Sequence, residues 1–171
     1  MARPLRIEYP DAVYHVSNLT LDGQRAFPSA KYYEAMLQVI EDTCTRFNVK
    51  VLAYAFLKDQ YHLVIKTPEG NLSRFMRQID GLYTQNYQRM KKSDGSLFKG
   101  RYKAVLVQAD NYLLPLTRYI HLSGRKPDME KPERCSLFYY SAAVKTPEWL
   151  DRDEALKQMS GPANKRYQNY V

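Results

Sequence analysis

Residues 51–67, Val-Leu-Ala-Tyr-Ala-Phe-Leu-Lys-Asp-Gln-Tyr-His-Leu-Val-Ile-Lys-Thr, place two apolar runs on either side of the polar Lys58-Asp59-Gln60. Short runs rich in Val, Ile, Tyr and Phe read as strands, and the polar break reads as a hairpin turn or a bulge. In an extended chain residues i and i+2 share a face, so Gln60 and His62 aim the same way.

Upstream, Val13–Ser17 reads as a short strand and 21–28, with Asp22-Gly23, as a loop. Ser29 then caps a helix on which Tyr33, Met36, Leu37, Ile40, Cys44 and Phe47 recur at three- and four-residue steps, ending near Asn48. Downstream, Pro68-Glu69-Gly70-Asn71 is a turn, and Asn71 or Ser73 caps a second helix with the stripe Leu72, Phe75, Met76, Ile79, Tyr83, Tyr87 and Met90. Tyr102–Gln108 alternates as a strand, and a third helix starts at Asp110 or Asn111 and runs to about Leu122. Pro115 is expected to kink or delay that helix unless it falls in the first turn. The order is that of an α+β fold, a split βαβ layout whose antiparallel sheet carries helices on one face. Residues 1–125 are expected to form the main domain. Residues 126–171 are a C-terminal extension, linker-like at its start and aromatic at Phe138-Tyr139-Tyr140.

The chain of 171 residues is long enough to fold on a hydrophobic core alone. Cys44 and Cys135 lack metal-site spacing and read as structural thiols of a reduced, intracellular protein. Without a membrane-length apolar stretch, the expectation is a soluble, cytoplasmic, nucleoid-associated protein with no membrane partner. The formal net charge is +8, and most of it sits in one segment. Arg74, Arg77, Arg89, Lys91, Lys92, Lys99, Arg101 and Lys103 there face only Asp80 and Asp94. With Arg3 and Arg6 these cations are the candidate DNA-binding residues. Tyr83, Tyr87 and Tyr102 interleave with them, as stacking platforms for single-stranded bases would.

The segments Ala12-Val13-Tyr14-His15-Val16, Pro68-Glu69-Gly70-Asn71-Leu72-Ser73, Met76-Arg77-Gln78, Phe98-Lys99-Gly100-Arg101-Tyr102-Lys103 and Arg118-Tyr119-Ile120 together resemble the REP-associated tyrosine transposases, of the single-tyrosine HUH transposase family. The resemblance spans roughly residues 1–125. It implies a ferredoxin-like sheet whose central strand offers two histidines to a divalent cation, Mg²⁺ or Mn²⁺, which polarises the scissile phosphate of DNA. A helix-borne tyrosine attacks and forms a 5′-phosphotyrosine. Carried over by position, the nucleophile is Tyr119 and the metal ligands are His62 and, in place of the first histidine, Gln60. The implied partner is single-stranded or REP-like hairpin DNA; monomer and homodimer both stay open.

Three departures surround that site. Gln60 replaces a histidine, Ser123-Gly124 stand where the family carries Asn-Pro, and Lys58-Asp59 replace Pro-Asn. An amide oxygen is a weaker ligand than an anionic one, and imidazole suits Mn²⁺-like ions better. The expectation is therefore a DNA-binding protein with weakened or lost cleavage, and the alternative is an active transposase with a Gln-substituted site. Lys99-Gly100-Arg101-Tyr102 has a superficial likeness to an RNA-recognition signature, but the remaining pattern is missing.

Overall fold

A computed structural model describes residues 7–123, 131–142, 144–157, 159, 167 and 170. Strands β1 (Ala12–Leu19), β2 (Lys50–Phe56), β3 (Gln60–Thr67) and β4 (Lys103–Val107) form one sheet in the order β2-β3-β1-β4. Every neighbouring pair is antiparallel. Helix α1 (Ala30–Phe47) links β1 to β2 and α2 (Leu72–Lys91) links β3 to β4, each crossing over one intervening strand. This is the expected α+β, split βαβ layout.

Of the two readings of the polar break the hairpin turn is the one found, and a separate irregularity that the sequence did not announce lies near the start of β2. Leu57 N–H donates to Gln60 O at 2.8 Å across the hairpin turn, and the β2–β3 register shifts between Val51 and Ala53. The shift turns Leu52 and Ala53 toward one face of the sheet, with Val51 and Tyr54 toward the other.

Helices α1 and α2 cover one face. Their stripes, including Met36, Ile40, Phe75, Met76, Ile79 and Tyr83, bury Tyr14, Val16, Leu63 and Ile65 from the central strands. Both helices start where the sequence places them, although neither Ser29 nor Asn71 makes a side-chain cap bond. Asn48 closes α1 in a left-handed conformation, its N–H donating to Cys44 O. Asn71 stands at the N-cap position of α2 without a side-chain cap bond, and its amide donates instead to Phe47 O at 2.8 Å, at the end of α1. Gly70 has φ +61, and a Cβ there would meet the Tyr9 carbonyl carbon at 2.8 Å, so only glycine fits the turn.

The expectation of helices on one face holds for α1 and α2 but not for α3 (Ala109–Ser123). That helix packs against β2 on the opposite face, where Val13, Leu52, Ala53, Ala55 and Val64 form a second apolar surface. A sheet apolar on both faces needs cover on both. The C-terminal extension completes it: Cys135, Tyr140 of α4 (Leu137–Ser141), Ala155 and Leu156 of α5 (Arg152–Leu156) and Tyr167 join Leu113 and Ile120 of α3 in this core. The extension also blunts the β2 edge. Val51 N–H donates to Trp149 O, and Asp151 N–H donates to Val51 O. Pro115 lies inside α3 and does not end it. No helix among the described residues is long and apolar enough to cross a membrane. Cys44 and Cys135 are buried and free, with burial pushing both thiols up to about 12.

Candidate nucleic-acid interface and catalytic centre

The α3-side face carries the groups of interest. Cross-strand partners project to the same side of a sheet, and the register Ala55↔His62, Ser17↔His62 and Ser17↔Lys103 lines up one row across all four strands. Gln60 lies two residues before His62, opposite Leu19 on the same face, as the spacing predicts.

His62 is 8% exposed and is not an isolated group. Its Nδ1 lies 3.0 Å from Nε2 of His15, the diagonal neighbour on β1. The ring planes differ by 23° and the centroids are 5.3 Å apart, which is what a 3.0 Å nitrogen contact gives when two imidazoles meet end to end. One nitrogen carries the shared proton and the other accepts it. Burial depresses both rings, and with the His15 neighbour it pushes His62 down to about 4, so the pair is neutral near pH 7. Sequence reasoning missed His15 as part of this site. The only available signal was a histidine on the α3-facing parity of β1.

The chemistry of this donor set does not fit the cation that the resemblance implies. Hard divalent ions take oxygen ligands, usually with carboxylates. Among the described residues no three His, Cys, Asp or Glu side chains converge on a point. Asp59 is exposed in the hairpin turn. The Ser123 hydroxyl, which stands where the family has an amide, turns back to donate to Tyr119 O at 2.6 Å. His62 Nδ1 is already committed to His15.

Tyr119 is 59% exposed on α3. Its neighbours hold that helix firmly. Arg118 Nε donates to Tyr170 O at 2.7 Å, and Ile120 and His121 are buried. His121 is the centre of a buried chain, with Nδ1 2.6 Å from the Tyr167 hydroxyl and Nε2 2.7 Å from Ser136 Oγ. Ser136 Oγ in turn accepts from Tyr54 N–H at 2.9 Å. A consistent assignment has Tyr167 donating to Nδ1 and Nε2–H donating to Ser136. Burial pushes His121 down to about 3.

Between β1, β4 and the first half of α3 opens a cleft of about 990 Å³, lined among others by Tyr9, His15, Val105, Tyr112 and Pro115. Tyr112, Pro115 and Tyr119 follow the i, i+3, i+7 spacing of one helix stripe, so Tyr119 continues the line of the cleft wall.

All eight cations of the 70–106 segment are exposed; Arg3 and Arg6 lie outside the described residues. The cations divide by face. Arg74 and Arg77 stand on the outward side of α2, across the sheet from His62, whereas Lys103 stands in the His62 row. The loop before β4, which carries Lys99 and Arg101, is pinned from inside. Asn18 Nδ2 donates to Asp80 Oδ2 at 3.0 Å and to Gly100 O at 3.3 Å, while Tyr61 OH donates to Asp80 Oδ1 at 2.6 Å. The stacking role expected of Tyr83, Tyr87 and Tyr102 is corrected. All three are buried, and the first two spend their hydroxyls on the Ala26 and Arg25 carbonyls. They lie on the apolar stripe of α2 or at the base of the loop, where packing takes the ring faces. The exposed tyrosines are Tyr9, Tyr112 and Tyr119.

A family model described as "Transposase IS200 like" matches residues 9–123. No curated protein matches. Among solved structures, a REP-associated tyrosine transposase bound to a REP hairpin superposes with a TM-score of 0.68 at 13% identity, covering 89% of this chain and 98% of that one. A candidate transposase from Deinococcus radiodurans R1 gives 0.48 at 16% identity, over 74% and 100% of the two chains.

Proposed function

The chain belongs to the IS200-like transposase family, and we propose that it recognises single-stranded or REP-like hairpin DNA, with strand cleavage weakened or lost. The observation that carries this reading is that His62 projects from the same sheet face on which α3, the helix of the exposed Tyr119, packs, with Lys103 of the basic segment in the His62 row. The neighbour bound to a REP hairpin shares the fold and makes hairpin DNA the first ligand to try. Residues 1–125 serve as the transposase domain, and 126–171 as an extension that braces α3. The protein works in the cytoplasm, on the nucleoid.

Cleavage is the weakened part because Gln60 in place of a histidine and the self-bonded Ser123 in place of an amide leave a divalent cation short of the ligands that the resemblance implies. When bound, such a cation would stabilise charge on the scissile phosphate. A second reading, an active single-tyrosine transposase tolerant of Gln60, is favoured by the exposure of Tyr119.

A nicking assay separates the two. Labelled single-stranded and hairpin oligonucleotides are incubated with Mg²⁺ or Mn²⁺, and a covalent adduct is sought on denaturing gels. Binding without adduct is expected. An adduct that disappears in Tyr119→Phe establishes the second reading, and absence of binding at low salt removes both.

A further inference from the structure

The residue row that contains His62 has a property the cation picture leaves unused. His62, Ser17 and Lys103 sit side by side on three adjacent strands, facing the α3 side. Neighbouring strands lie roughly 4.8 Å apart, so the three side chains span the width of a phosphodiester group and its flanking oxygens. Ser17 is half-buried and Lys103 exposed. Within the described residues neither makes a side-chain hydrogen bond or ion pair.

The His15 contact decides what His62 offers to that row. A neutral imidazole carries one N–H and one lone pair, and in water the Nε2–H form is the favoured one. If both rings keep it, His15 Nε2–H donates to His62 Nδ1, and the 3.0 Å contact is satisfied with no tautomer change. The reverse bond, from His62 Nδ1–H to His15 Nε2, requires both rings to switch. The assignment that needs no tautomer change leaves His62 with an N–H at Nε2. A metal-ligating histidine has the opposite arrangement, donating its far N–H and presenting a lone pair.

We propose that His62 Nε2–H, the Ser17 hydroxyl and the Lys103 ammonium form a metal-independent site for a backbone phosphate of single-stranded DNA, with His15 as the positioning residue that holds His62 as a donor. The site rests on the DNA-binding reading above and changes its chemistry. Where the resemblance implies a cation bridging protein and phosphate, this chain reaches the phosphate with its own donors. Hydrogen bonds to an anionic oxygen are the strong ones, and a cation in the same row adds Coulomb attraction.

The test has two arms. Nitrogen-15 correlation spectra of the free protein report the His62 tautomer directly, and the expected pattern is a protonated Nε2 and an unprotonated Nδ1. In His15→Phe, which cannot donate, the Nε2–H form keeps only its intrinsic preference, and the Nδ1–H form gains population relative to wild type. Separately, anisotropy of a labelled single-stranded oligonucleotide is titrated in EDTA. Wild type is expected to bind. Lys103→Ala and His62→Leu each bind roughly tenfold more weakly, and His62→Gln, which keeps an N–H at similar reach, recovers most of the loss. Added Mn²⁺ changes none of these affinities.

A His62 lone pair at Nε2, a binding loss in EDTA that Mn²⁺ restores, or equal affinities for wild type, Lys103→Ala and His62→Leu overturns the proposal. The last of these leaves DNA binding intact and relocates it, whereas an oligonucleotide that fails to bind wild type removes the DNA reading together with the site.

Discussion

The two faces of the sheet are built to different rules. On the α1/α2 side, Phe27, Tyr33, Phe56, Tyr54 and Tyr83 stack in one aromatic layer, and the Tyr83 hydroxyl is absorbed by a nearby backbone carbonyl. On the α3 side all three histidines of the chain are engaged in side-chain hydrogen bonds, and a cleft stays open beside His15. The first face supplies stability, and its Tyr61, Tyr83 and Tyr87 hydroxyls end on carbonyl or carboxylate oxygens, while Thr43 Oγ1 is buried without a partner among the described residues. The second holds polar groups that pair with one another across strands and helices, the costlier arrangement, which burial tolerates only when each partner is matched.

The sharpest way to break this contrast is to hollow out the first face. Phe56→Ala or Met76→Ala removes a fully buried side chain and is expected to cost about 2–5 kcal/mol in urea unfolding. The affinity of the remaining folded protein for DNA should stay unchanged. A large affinity loss at constant folded fraction would mean that the α1/α2 face takes part in binding.

The second face is expected to fail first in acid. His121 has a folded value near 3, against 6.5 when exposed, so the unfolded chain binds the extra proton throughout that window. Stability is therefore flat above about pH 6.5 and falls as pH drops toward 3. The His121 share of the loss is about 3 kcal/mol by pH 4. His62 and His15, also depressed, push in the same direction. His121→Gln keeps an acceptor for Tyr167 and a donor for Ser136 but does not titrate. Urea unfolding at pH 7 and pH 4 should show a smaller difference for this variant than for wild type; equal differences would mean that His121 is not the group that titrates.

How much of each face was legible follows from the same distinction. The α1/α2 core is a matter of local period, so Met36, Ile40, Met76, Ile79 and Tyr83 declare themselves at helical spacing. That period also shows why the tyrosine stacking expectation failed. Tyr83 and Tyr87 already belonged to the apolar stripe, and a buried ring has no face left for a base. Gln60 and His62 sharing a face needed only strand alternation. The His15–His62 contact needed the β1–β3 register, and the His121–Ser136–Tyr167 chain needed the extension docked on α3. Neither is encoded within a single element. Pro115 was legible as a disturbance, yet the helix continues through it because packing of Leu113 and Ile120 holds both halves.

Repairing the departures around His62 sharpens the comparison from the other side. Gln60→His with Ser123→Asn returns two nitrogen- or oxygen-bearing ligands to the α3 face without touching the α1/α2 core. With Mn²⁺ present, the double variant is expected to form a Tyr119-dependent DNA adduct about 10–100-fold faster than the starting protein, the range that ligand-level defects span. Adduct formation by wild type at the same rate would show Gln60 to be a competent ligand. A double variant that binds DNA but never cuts would instead place the fault in the position of Tyr119 on the proline-containing helix.

The smallest effect distinguishes the faces by charge alone. Reversal at Lys99, Arg101 or Lys103 alters cations on or beside the His62 row, whereas reversal at Arg74 or Arg77 alters the outward side of α2, with the whole sheet in between. Each lost single-strand phosphate contact lowers the slope of log affinity against log salt by ~0.7. Lys103→Glu should therefore weaken binding and flatten the salt dependence by about one contact. Arg101→Glu should act similarly because its loop is fixed through Asn18 and Asp80. Arg74→Glu and Arg77→Glu should weaken binding less, through the general field and not through a contact. Anisotropy titrations between low and moderate salt give both the affinity and the slope. If the α2 variants lose the contact-sized slope and Lys103→Glu does not, DNA tracks over α2, and the polar face under α3 is then a structural feature of the brace and not the seat of recognition.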